Sequence, residues 1–171
     1  MEMRTVATPM LDSLPSALHE IPLRHLFAMR LESGAPIIVG QTPGLFRRVG
    51  FITGGTFESR IDGLHGTIVP GGNDWQSVRP DGATTLHVRI ILETAGGDRI
   101  AMTYPGIRHG RPEVLSRLDL GDVVEPSEYY FRITPIFETA SERFSWLNRI
   151  VALGTGYRLP GGPVYNVFEA L

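Results

Sequence analysis

The sequence predicts an all-β protein: a closed eight-stranded antiparallel β-barrel with one or two short helices. Two observations point there. About eight short segments alternate apolar and polar residues with the period of two that a strand imposes. They recur at regular intervals, separated by turns drawn from 20 Gly and 13 Pro in 171 residues, a density that leaves little room for long helices. A barrel is preferred to a sandwich because closure removes exposed edges. Eight strands also enclose an interior wide enough for side chains or one small ligand.

Residues 1–22 read as a loosely attached arm, with a helical turn or two over Asp12–Leu18 capped by Asp12 or Ser13. Residues 23–171 read as one barrel domain. The expected strands are His25–Leu31, Phe46–Thr53, His65–Val69, Thr84–Thr94, Arg99–Tyr104, Tyr129–Thr139, Arg149–Leu153 and Val164–Ala170. Between them lie Pro43-Gly44, Pro70-Gly71-Gly72, Arg79-Pro80-Asp81-Gly82 and the hairpin loop Ala95-Gly96-Gly97-Asp98. Asp74-Trp75-Gln76 is expected to start an irregular crossing. Pro112–Leu118 is the best helix, with Pro at its first position and Glu113 in its first turn. Gly54-Gly55-Thr56 lacks the Lys and the strand–loop–helix setting of a phosphate loop, so a strand-bending bulge is expected there. Glu142–Leu147 reads as a helical turn, with Trp146 closing one barrel end and Asn148 bonding a turn.

Composition narrows the function. A hydrophobic content of 42% and a charged content of 20% are those of a soluble globular chain. A net charge of −2 leaves no basic excess to neutralise phosphates, so no nucleic-acid partner is expected. The absence of Cys excludes disulfides, thiolate nucleophiles and Cys metal sites, and it suits a cytoplasmic setting. No apolar run approaches the ~20 residues of a membrane helix, so no membrane partner is expected. The five His show no ligand spacing and no dinucleotide fingerprint occurs. Neither a metal nor another cofactor is expected, and His65 with His87 is the one pair that strands would have to unite.

The strand Tyr129–Thr139 carries a polar row, Tyr130, Arg132, Thr134 and Glu138, opposite Tyr129, Phe131, Ile133 and Phe137. The polar row fits a cavity wall, in which Arg132 anchors an oxyanion and Tyr130 donates a hydrogen bond or a proton. It equally fits a solvent face or a structural Arg–Glu pair. On the strand Thr84–Thr94, His87 and Arg89 alternate with Leu86, Val88, Ile90 and Leu92. His87 near arginines fits a general base, or an outward face. Asp74 and Trp75 follow a glycine turn that can aim them into a barrel mouth, Asp74 as base or acceptor and Trp75 as an aromatic wall. The same residues fit an Asx turn and a core plug. Tyr104 and Arg108 are further lining candidates.

Several longer segments resemble one known family. They are Arg47-Arg48 with Ile52–Phe57, Val69–Gln76 with Arg79–Gly82, Pro126–Arg132 with Phe137–Thr139, Trp146-Leu147-Asn148, and Val164–Glu169. In order and over residues 23–171 they are similar to the domain-of-unknown-function family 3237. The resemblance implies a small barrel like that of allene oxide cyclase, often a homodimer, and no established reaction. Relatives of such barrels include enzymes that act on apolar oxygenated substrates without a cofactor. The chain departs from the family pattern at His87, Ile90 and Glu58-Ser59-Arg60.

The functional expectation is a cofactor-independent isomerase, cyclase or lyase/dehydratase. Its substrate would be a small apolar carbonyl or phenolic compound held in the lumen. Tyr130, Arg132, Asp74 and His87 would be catalytic, and Arg89, Trp75, Thr134, Glu138 and Tyr104 would bind substrate. The alternative is a non-catalytic carrier of such a ligand, and a third reading is a structural dimer module whose barrel is filled by side chains.

Overall fold

A computed structural model describes residues 7–171. The arm carries helix α1 (Pro9–Asp12) and a single 3-10 turn at Ser16–Leu18. The helical turn expected over Asp12–Leu18 is therefore split. Eleven strands follow: β1 (Leu23–Ser33), β2 (Ile37–Thr42), β3 (Leu45–Glu58), β4 (Gly66–Ile68), β5 (Asn73–Val78), β6 (Thr84–Thr94), β7 (Arg99–Gly110), β8 (Tyr129–Ile133), β9 (Ile136–Thr139), β10 (Val151–Leu159) and β11 (Gly162–Ala170). Helix α2 (Pro112–Asp119) lies between β7 and β8. Among the described residues, no helix is long and apolar enough to cross a membrane.

All strand pairs are antiparallel. Eight strands close a ring in the order β3, β1, β11, β10, β8, β7, β6, β5 and back to β3. The other three extend it. Short β4 also pairs with both β3 and β6, so it shares with β5 the slot between them. Strand β9 pairs with β7 beyond the end of β8, and β2 folds back on β3 as a hairpin.

The eight-strand closure agrees with the sequence reading, while several segments differ from it. Asp74-Trp75-Gln76 is not an irregular crossing but part of β5, a strand that pairs with β3 on one side and β6 on the other. The ladder on each side supplies backbone partners that outweigh the weak local strand signal of an Asn-Asp start. The expected strand Tyr129–Thr139 is two strands, interrupted at Thr134-Pro135, because Pro has no N–H to offer the ladder. Strand β7 runs through Pro105 to Gly110, beyond the predicted end at Tyr104. Helix α2 agrees with its prediction, and its Val114 and Leu118 are buried.

The predicted bulge also appears. The β1–β3 register slips between Glu32↔Gly54 and Ser33↔Ile52. Gly55, at φ +140°, lies so close to β1 that a Cβ there would sit 2.1 Å from the Arg30 carbonyl oxygen. Only glycine permits that conformation and that approach.

One end of the barrel is filled. Phe27 makes edge-to-face contacts with Phe57 and Phe137, at centroid distances of 5.9 and 6.0 Å. Leu64, Leu92, Ile100, Phe144 and Leu147 are also buried in this core. Asn148 closes the nearby turn as expected: its Oδ1 accepts from the Thr139 N–H at 2.8 Å and its Nδ2 donates to the Thr139 carbonyl at 2.9 Å.

Candidate lumen site

The other end of the barrel is hollow. A cavity of about 190 Å³ lies beneath α2 and the β1–β2 loop, lined by residues of β1, β3, β5, β6, β7, β8, β10 and β11. Its wall follows from strand register. Asp74 on β5 sits opposite Gly50 on β3 and Val88 on β6, and Val88 sits opposite Tyr104 on β7. Further along β7 on the same face comes Arg108, opposite Phe131 on β8. Phe131 packs edge-to-face on Tyr165 of β11 at 5.4 Å, and Tyr165 packs likewise on Tyr104 at 5.5 Å.

A polar relay supports Asp74. Arg48 Nε donates to Gln76 Oε1 at 2.7 Å, and Gln76 Nε2 donates to Asp74 Oδ2 at 2.7 Å. Arg48 also lies 3.8 Å from the Asp119 carboxylate at the end of α2. The remaining lumen groups are left open. Asp74 Oδ1, the Tyr104 hydroxyl and Arg108 Nε are buried with no hydrogen-bond partner among the described residues. Exposure is 9% for Asp74, 5% for Arg108 and 0% for Tyr104. Buried polar atoms are nearly always paired in folded proteins, so three orphans around one void mark a place built for something else to bond.

Burial dominates the acid–base properties. It pushes the Asp74 carboxyl above the ordinary carboxylate range, against Gln76, Arg108, the His87 backbone and Arg48, which favour the charged form. It holds the Tyr104 hydroxyl well above the usual tyrosine range, with Tyr165 and Asp74 adding to the effect. Tyr165 is raised for the same first reason, then by Asp74. Arg108 is pulled down by burial and then by repulsion from Arg48 and Arg158.

Of the ten residues singled out from sequence, the fold brings three together in the lumen, Asp74, Tyr104 and Arg108. The other seven are not in its wall. Tyr130, Arg132, Thr134 and Glu138 are exposed on the outer face, so the expectation that this row lines the cavity is corrected. His87 and Arg89 also face outward, and so does Trp75, at 47% exposure. The reason is burial energy. On β8 and β6, hiding Tyr129, Phe131 and Ile133, or Leu86, Val88, Ile90 and Leu92, removes far more apolar area from water; on β5 alternation decides instead, since Asp74 faces the lumen and its neighbour Trp75 must face out, where its ring centroid lies 6.0 Å from the Arg47 guanidinium. Outside, Tyr130 stacks on His109 at 4.9 Å and the Arg132 guanidinium lies 4.7 Å above the Tyr130 ring. Arg89 and Glu138 border a separate outer depression. Among the described residues, no group of three His, Asp or Glu converges as a metal site.

Sequence reasoning missed Arg48, Gln76, Arg158 and Tyr165 as lining residues. A signal existed for some. Arg48 shares the alternation of the buried Ile52, just as the named candidate Arg108 shares that of Ile100, Met102 and Tyr104. A charge on the apolar phase of a strand is the mark of a polar lumen.

The model of the family described as Protein of unknown function (DUF3237) matches residues 21–170. The chain belongs to the DUF3237 family. Among relatives, the UPF0311 protein CA_C3321 of Clostridium acetobutylicum is 31% identical over 156 residues, covering 89% of this chain and 96% of its own. The crystal structure of the conserved protein of unknown function RPA1785 from Rhodopseudomonas palustris superposes with a TM-score of 0.85 at 28% identity, covering 89% of this chain and 99% of that one. A protein of Acinetobacter baumannii described as beta-barrel like (ABAYE2633) superposes at 0.77 with 38% identity, covering 89% and 97%. In this DUF3237 chain, the segment Val69–Gln76 supplies Asp74 and Gln76, and the segment Val164–Glu169 supplies Tyr165.

Proposed function

We propose that this DUF3237 barrel is a cofactor-independent enzyme that moves a proton on a small one-ring carbonyl or phenolic compound held in the lumen. The step belongs to an isomerisation, cyclisation or elimination. The observation that carries the reading is the unpartnered Asp74 Oδ1 facing a cavity shared with the unpartnered Tyr104 hydroxyl and Arg108 Nε.

Size sets the substrate. A cavity of ~150 Å³ holds benzene and drug-sized ligands occupy ~300 Å³ or more. The lumen, at about 190 Å³, suits one ring with small substituents. Chemistry sets the roles. A carboxylate whose pKa is raised by burial is a stronger base than one in water and can return the proton in the next step. Asp74 takes the proton from carbon or oxygen. Tyr104 and Tyr165, which burial keeps protonated, donate to the substrate oxygen on which negative charge develops. Arg108 adds a positive field in a setting of low dielectric. The roles that sequence assigned to Tyr130, Arg132 and His87 pass to these lumen groups.

The test uses solvent-deuterium uptake at the carbon next to the carbonyl of small aryl ketones, followed by proton NMR with the purified protein. Wild type should accelerate exchange saturably. Asp74→Asn should reduce it about 10²-fold or more while keeping affinity. Saturable binding of every ketone tried, with exchange no faster than in buffer, would instead identify a carrier.

A further inference from the structure

We propose that the lumen ligand is an organic anion: a one-ring carboxylate bearing a hydroxyl or oxo group, with its carboxylate toward Arg108 and its neutral oxygen toward Asp74 and Tyr104. This rests on the reading above that the lumen is the site, and it names the class of substrate.

Charge in the lumen is unmatched. Three guanidinium groups line the cavity, those of Arg48, Arg108 and Arg158, against two carboxylates, Asp74 and Asp119. Two of the three cations are already engaged. Arg48 bonds Gln76 and lies beside Asp119, and the Arg158 guanidinium donates to the Leu159 carbonyl. Arg108 has neither kind of partner. It is 95% buried by its 5% exposure, its Nε is orphaned, and it forms no ion pair among the described residues. Its guanidinium lies 5.8 Å from the Phe131 ring centroid. An unpaired buried charge is among the costliest features a fold can keep, and here repulsion from Arg48 and Arg158 acts more strongly on Arg108 than the opposing attraction of Asp119 and Tyr165. A carboxylate from outside would offset all three terms, and a guanidinium fork suits it by geometry.

The other two orphans define the far end of the ligand. Tyr104 lies on the same face of β7 as Arg108, with Gly106 between them. Asp74 joins Tyr104 through Val88, one strand away. Asp74 Oδ1 accepts and the Tyr104 hydroxyl donates or accepts. A hydroxyl answers both, donating to Asp74 and accepting from Tyr104, and an enolisable oxo group accepts from Tyr104 and donates to Asp74 only as its enol, so the ligand needs a charged end and a neutral oxygen end separated by one ring.

The test compares 4-hydroxybenzoate with its neutral counterpart 4-hydroxybenzamide, by titration calorimetry on the full chain. The acid should bind saturably and the amide about tenfold more weakly or worse. Arg108→Gln should cost the acid about tenfold or more and leave the amide unchanged, whereas Arg132→Gln on the outer face should change neither. The wild-type comparison needs no variant to fold. Equal affinity of acid and amide, or no saturable binding of the acid at millimolar concentration, overturns the anion assignment. Equal affinity with both ligands shifting lumen resonances would leave the lumen site standing, and deuterium exchange lost in Asp74→Asn would leave its proton chemistry standing.

Discussion

Gly50 faces Asp74 directly across the β3–β5 ladder, and a Cβ placed on Gly50 would meet only Asp74, with its Cβ at 3.8 Å and its carbonyl oxygen at 4.0 Å. The missing side chain is what leaves open the space beside the carboxylate. Gly50→Val therefore should fill the cavity without a backbone clash. Expected is loss of lumen binding with thermal stability within about 1 kcal/mol of wild type. A variant that still binds lumen ligands at wild-type affinity would show that the space beside Asp74 is not used.

Asp74 should couple stability to pH with a definite sign. Its folded-state pKa is raised by burial, so the folded chain holds this proton more tightly than the unfolded chain does. Below about pH 4 both states are protonated and no penalty exists. As pH rises through the raised value, the folded state must ionise a buried carboxyl, and stability falls. Asp74→Asn removes that cost. The difference in Tm between Asp74→Asn and wild type should grow more positive from pH 4 to neutrality, read by thermal melts across buffers. A difference that is flat or shrinks would mean the relay from Arg48 and Gln76 outweighs burial. If Asp74 is the base, kcat/KM should rise with pH through the same raised value.

Tyrosines provide a second pH test at the alkaline end. Burial raises Tyr104, Tyr165 and Tyr129 above the ordinary range. Unfolded tyrosines ionise near pH ~10, while these three keep their protons in the fold. The stability they contribute is intact below that pH and is lost above it. Ultraviolet difference titration should show part of the tyrosine signal appearing only with unfolding. Tyr104→Phe should shrink that part.

Tyr104→Phe also separates stability from function. The hydroxyl it deletes has no partner, so stability should hold or rise by up to about 1 kcal/mol. Turnover or ligand affinity should fall. A destabilised Tyr104→Phe would reveal a structural bond to this hydroxyl instead.

The lumen wall depends on another glycine. On β10, a Cβ at Gly156 would lie 2.5 Å from the Phe131 ring. Gly156→Ala should push Phe131 toward Arg108 and Tyr165, costing about 1–3 kcal/mol as measured by urea unfolding. A neutral substitution would mean that Phe131 can repack elsewhere.

Much of this fold is legible in the chain. The alternation in Thr84–Thr94, the hairpin at Ala95–Asp98 and the Pro-led helix α2 all rest on local chemistry. So does the Gly54-Gly55 bulge. The site was half legible. Asp74, Tyr104 and Arg108 were among the candidates, but Tyr130, Arg132, His87 and Arg89 drew more attention as polar rows. Alternation reports that a strand has two faces, and it does not say which face closes inward.

By itself the sequence determined the all-β class, most of the barrel strands, the turns that separate them and the pool of polar residues from which a site can be made. Those depend on interactions between near neighbours along the chain. Only the tertiary structure decided that Tyr129, Phe131 and Ile133 go inside and Tyr130 and Arg132 outside. It also decided that Arg48, Asp74, Tyr104, Arg108 and Tyr165 meet at one end. That choice is made by summed apolar burial over the strands and by ladder registers joining residues as far apart as Leu23 and Ala170. The same strong apolar drive that turned the polar rows outward is what makes the few charges left inside so informative.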